Sequence, residues 1–132
     1  MRGRLVIAVV VGTFISASLS AHHGSAAFDN GKAVILKGAV VQWVYSNPHC
    51  LLTVDVKADD GTVVRWIAET QAPSIMYPAG YRKDSFKVGD EVTVNVEPVK
   101  NGLPVGRIRE VVLADGTTLG GTGSVPTPPK GK

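Results

Sequence analysis

The chain has 132 residues, with fourteen Lys and Arg against eleven Asp and Glu, three histidines and one cysteine. Nucleic-acid binders need a clear basic excess gathered on one face, and a balance this even gives none. A lone cysteine excludes an intrachain disulfide, so the fold must rest on an ordinary apolar core, and the length suits one small domain.

Residues 1–21 read as a secretory signal peptide. Arg2 and Arg4 make a basic start, Leu5 to Leu19 is an apolar run, and small residues follow. The alternative is a retained membrane anchor. A spanning helix needs about 20 apolar residues, whereas this shorter run is interrupted by Thr13, Ser16 and Ser18. Cleavage would remove Arg2 and Arg4 and leave twelve basic against eleven acidic residues, so the high pI belongs partly to the signal. The mature protein is expected to be periplasmic or secreted, with no stable membrane span.

Residues 22–33 open with His22 and His23 and read as an extended N-terminal arm. From Val34 the texture turns to β. VILKGAVVQWVY is rich in branched and aromatic residues, and Gly38 inside it predicts a bulge or a sharp coil. SNPHC ends that run, because Pro48 offers no N–H to a ladder and Asn47 favours turns. LLTVDVKA alternates with period two, placing Leu52, Val54 and Val56 on one face. Asp60-Gly61 predicts a hairpin into TVVRWIAET. APSIMYPAGY is bracketed by prolines and allows one or two helical turns starting near Pro73. KVGDEVTVNVEPV gives a strand with Val92, Val94 and Val96 inside, Asn101-Gly102 turns the chain again, and VGRIREVVL makes the last strand. A terminal turn is expected at Asp115-Gly116.

Residues 120–132, rich in Gly, Pro and Thr, read as a disordered tail. Residues 34–119 are thus expected to form one all-β domain with a small inserted helix. Five strands with a helix between the third and fourth is the arrangement of an OB-type barrel; a small open β-sandwich is the alternative.

The histidine pair, FDNGK, LKGAV, NPH, WIAE and RKDSFKVGDEVTV occur here in one order. That ordered set resembles a family of bacterial exported proteins known as domain of unknown function 6152, over about His22 to Leu119. The resemblance implies export and a β-rich single domain, and it supplies no reaction. Gly24 stands where the family usually has serine after the pair, and Tyr81 where tryptophan is common; neither change removes a candidate ligand.

The residues that could carry chemistry are few. Cleavage after Ala21 would expose the amine and imidazole of His22, which can chelate Cu(II) together, with His49 as a third nitrogen. Cleavage after Ser20 would give Ala-His-His, in which His23 joins the amine and two deprotonated amides in a square-planar site. Nitrogen ligands in planar or tetragonal geometry suit Cu(II) or Ni(II). Zinc wants four protein ligands, so His22, His23, His49 and Glu69 would all have to converge. The plainer readings are solvated terminal histidines, a turn fixed by Asn47-Pro48-His49, and an exposed carboxylate at Glu69.

Cys50 reads as a small buried hydrophobe. Trp43, Tyr45 and Trp66 read as packing residues before a stacking surface for a flat ligand, and Arg82, Lys83 and Asp84 as a solvated charged turn. No nucleophile with its base, phosphate loop or paired-cysteine motif is present, so no enzyme is indicated and no catalytic residue is named. A brace that oxidises a substrate is conceivable chemistry, but no substrate groove can be named for it. The sequence therefore points to an exported binding module with a copper or related divalent metal site. The rival is a metal-free envelope protein that binds a small molecule, glycan or protein partner through its barrel face.

Overall fold

The computed structural model describes residues 27–120, so the expected signal peptide, the His22-His23 pair and the tail after Gly120 lie outside the described residues. Each run read as a strand forms one. β1 (Val34–Val44), β2 (Leu51–Lys57) and β3 (Val63–Glu69) make an antiparallel meander, and α1 (Pro73–Met76) is a single helical turn. β4 (Glu91–Pro98), β5 (Val105–Leu113) and β6 (Thr118–Gly120) complete the order. The helix starts where proline is tolerated, since the first-turn N–H groups have no intrahelical acceptor.

Neighbouring strands run β3-β2-β1-β4-β5, and parallel pairing of Ile67, Ala68 and Glu69 with Val105, Gly106 and Arg107 closes them into a five-stranded mixed barrel. The OB-like, all-β single domain expected from the sequence is the fold the chain adopts. β6 was not foreseen. The Asp115-Gly116 turn returns the chain onto β5, so that Thr118, Leu119 and Gly120 pair with Val112, Val111 and Glu110. Gly120 therefore belongs to a strand and not to the tail.

Period-two alternation decides what fills the barrel. Leu52, Val54, Val92, Val94, Val96, Ile108 and Val111 point inward and are buried, joined by Met76, Ala79, Tyr81 and Phe86 from the α1–β4 segment. Gly38 does not mark the bulge. The register of β1 against β2 shifts between Val40 and Gln42, while Gly38 lies where the strands press closest. A Cβ there would sit 2.3 Å from the Asp55 carbonyl oxygen.

The end of the N-terminal arm is stitched into the barrel rather than loose. Phe28 bridges Val99 and is 2% exposed. The Asp29 amide donates to the Pro98 carbonyl at 2.8 Å, and the Lys100 amide to the Ala27 carbonyl at 3.0 Å. The chain thus joins the fold at the β4–β5 hairpin.

Candidate functional site

His49 lies on a continuation of β2 past its named end. The Cys50 amide donates to the Gln71 carbonyl at 3.0 Å and the Thr70 amide to the Cys50 carbonyl at 2.9 Å, so the β2–β3 ladder carries on opposite His49. The imidazole is partly buried, with Nδ1 2.9 Å from the Thr70 carbonyl oxygen. A carbonyl only accepts, so Nδ1 carries a proton, and in the neutral ring Nε2 holds the lone pair. That arrangement, in which one ring nitrogen is fixed by a backbone carbonyl and the other is left basic, is the usual support of a metal-binding histidine. The preceding Asn47–Pro48 peptide is cis.

Thr70 is itself anchored. It is 4% exposed, and its hydroxyl donates to the Met76 sulfur at 2.9 Å, tying the β3 end to α1. Cys50 is fully buried, and burial pushes its thiol pKa up, which fits the small hydrophobe expected and makes it a poor thiolate ligand. Glu69 is partly buried and lies in register between Leu51 on β2 and Arg107 on β5. His22 and His23 lie outside the described residues. Among the described residues no group of three or more His, Cys, Asp or Glu side chains is placed to hold a metal ion.

The aromatic residues do not make an open stacking face. The Trp43 indole N–H donates to the Arg82 carbonyl at 2.9 Å, and its ring meets Phe86 edge-on with centroids 4.9 Å apart. The Tyr45 hydroxyl lies 3.3 Å from the carbonyls of Pro73 and Tyr81. These rings pack against the core beside α1, and Trp66 does so on β3. Arg82, read from sequence as part of a solvated turn, is instead built into this corner. One of its guanidinium nitrogens donates to the Tyr77 and Tyr81 carbonyls at 2.7 Å, and the group lies 3.6 Å over the Tyr77 ring. Lys83 and Asp84 are exposed.

A charged cluster escaped the sequence reading. Glu97, 7% exposed, accepts hydrogen bonds from Arg107 on one carboxylate oxygen and from Arg109 on the other. Burial alone would raise the Glu97 pKa, but the two guanidinium groups outweigh it and hold the carboxyl below its ordinary range. Arg107 also lies over the Phe28 ring and donates to Asn30 Oδ1 at 3.3 Å, while Arg109 donates to the Asn30 carbonyl at 3.4 Å. The cluster clasps the first described residues against β4 and β5. The only sequence signal was Arg-x-Arg on a strand facing another strand's glutamate, and that facing depends on a register the sequence does not print.

The row at which the arm joins the barrel and His49 lie at different levels of the sheet. Phe28, Val99, Val105 and Ile67 share one row, and His49 stands about four residues further along β3, opposite Gln71. At about 3.3 Å per residue that is roughly 13 Å along the strands, with neighbouring strands about 4.8 Å apart. Open grooves of about 240 and 340 Å³ lie elsewhere, both lined by Glu91, Val92, Leu113 and Ala114.

A family model described as a family of unknown function (DUF6152) matches residues 10–108. No curated protein and no solved structure matches the chain.

Proposed function

The chain belongs to DUF6152, a family of unknown function, and from that premise we propose an exported binding module that takes Cu(II) on its N-terminal histidine pair, His22 and His23, with His49 as the barrel's ligand. The observation that carries the reading is the His49 imidazole, whose Nδ1 proton is committed to the Thr70 carbonyl while Nε2 keeps a basic lone pair. A free amine and neutral imidazoles supply nitrogen donors of the kind Cu(II) prefers.

Reach divides the two processed forms. His22 stands six residues before Phe28, and six residues span at most about 20 Å. Reaching His49 takes nearly all of that and requires the chain to reverse beside Ala27. An Ala21-His22-His23 terminus completes its own square-planar chelate and needs no such reversal. Glu69, one residue before Thr70, would enter only a four-ligand zinc site.

The test is a Cu(II) titration of the mature protein, with its N-terminal residue read by mass spectrometry. One copper per chain is expected. Acetylation of the N-terminal amine, which removes that nitrogen from both forms, should weaken binding at least tenfold, and binding should fade as the pH drops below about 6.5, where imidazoles take up protons. Unchanged affinity in the acetylated protein would sink the proposal. His49→Ala should weaken copper only in the form that begins at His22.

A second reading is a metal-free envelope protein binding a partner through the barrel face. It is favoured by exposed Val63, Ile67 and Leu103 around β3. It predicts that His49→Ala harms stability or partner binding and leaves metal content alone.

A further inference from the structure

Among the described residues, half of β3 is left without a partner strand on the side away from β2. Its pairing with β5 runs only from Ile67 to Glu69, and among the described residues no strand lies against Val63–Trp66 on that side. The Ile67 amide points there, donating to the Pro104 carbonyl at 3.0 Å. Backbone groups alternate direction along a strand. The N–H and C=O of Val63 and Arg65 therefore face the open side, and those of Val64 and Trp66 face β2.

The surroundings are apolar. Val63 is 59% exposed, Val64 41%, Ile67 40% and Leu103 54%, and Leu103 adjoins Pro104 beside the same opening. The single charge on the open stretch, Arg65, is already neutralised by a two-pronged pair with Asp55 on β2, at 2.8 and 2.9 Å. Exposed edges are commonly blunted by lysine, proline or a bulge, and Val63–Trp66 carries none of these.

We propose that this half-edge is where a second copy of the chain docks, by antiparallel pairing of β3 with β3 about a two-fold axis through Val64. Three features select that occupant. The two residues with outward-facing backbone groups are self-complementary, because Val63 of each copy meets Arg65 of the other and four hydrogen bonds form. The same register keeps the arginines apart, since each faces a valine, and sets Val64 against Val64, where side chains approach closest. A lipid surface is a poor occupant, because hydrocarbon leaves unpaired N–H and C=O groups unsatisfied. Such a contact is closed and isologous, as most homodimer interfaces are.

Two cysteine variants read the register, and sedimentation reads the mass, all with a metal chelator present. In a pair that is not hydrogen-bonded the Cα atoms lie about 4.5 Å apart, within disulfide range. Val64→Cys should thus cross-link to a covalent dimer under mild oxidation. Val63→Cys, which faces Arg65, should cross-link far less. Cys50 is fully buried and does not compete. The unaltered mature protein should sediment at twice the monomer mass, and Val64→Lys, which sets two cations together on the axis, at the monomer mass with its β-sheet circular dichroism retained. A monomer at every concentration overturns the proposal. So does equal cross-linking of the two cysteine variants, or a dimer that forms only when copper is added.

Discussion

Glu97 shows how much one side chain can gather. Its carboxylate stands between Arg107 and Arg109 and is 7% exposed, so removing its charge leaves two guanidinium groups facing each other across Asn30. Both arginines are partly open to water, which tempers the effect, and Glu97→Gln is expected to cost about 1–2 kcal/mol of unfolding free energy. The sign with pH follows from the lowered pKa. A carboxyl held down in the folded state adds stability above its unfolded value, and that stability drains away as pH falls through the folded one. Urea unfolding of the mature protein should show a loss on acidification below the usual carboxylate range, and the glutamine variant should show less of it. Equal acid sensitivity in both proteins would mean that the cluster is not tuned as described.

Among elements, β1 carries the tightest constraint. Gly38 pairs with Val56 on one side and Val92 on the other, and even a methyl group there would strike the Asp55 carbonyl at 2.3 Å. Gly38→Ala must pry β1 from β2 or shift the register, and is expected to lower stability by about 2–3 kcal/mol, as overpacking does, read as a drop in thermal midpoint. The sequence announced a special glycine and misplaced its purpose. The glycine within the run predicted a bulge or a sharp coil, while the reason for it is a neighbouring backbone some seventeen positions away. β2, β3, β4 and the turn at Asp60-Gly61 were legible because alternation and turn chemistry are local. β6 was not, since three residues make too short a pattern. Of the candidate site, the place of His49 between the bodies of β1 and β2, Glu69 at the end of β3 and the burial of Cys50 could be read in advance. Its tether to Thr70, and the clasp around Asn30, both depend on which strands meet.

The whole molecule hangs together at the row that joins Phe28, Val99, Val105 and Ile67, where the arm, β4, β5 and β3 meet. Phe28→Ala would remove a 2% exposed ring from under Arg107. It is expected to cost about 3 kcal/mol and to make the bonds around residues 27–30 exchange their amide protons fastest. Uniform protection across the variant would show that the row is not a separate unit. This seam also has a consequence in time. Asn30 finds its guanidinium partners 77 and 79 residues later in the chain, so a polypeptide made from its amino end produces these residues first and can seat them only once β5 exists. Until then residues 27–30 have only the end of β4 and Lys100 to lie against, and Glu97 stands without its two guanidinium partners.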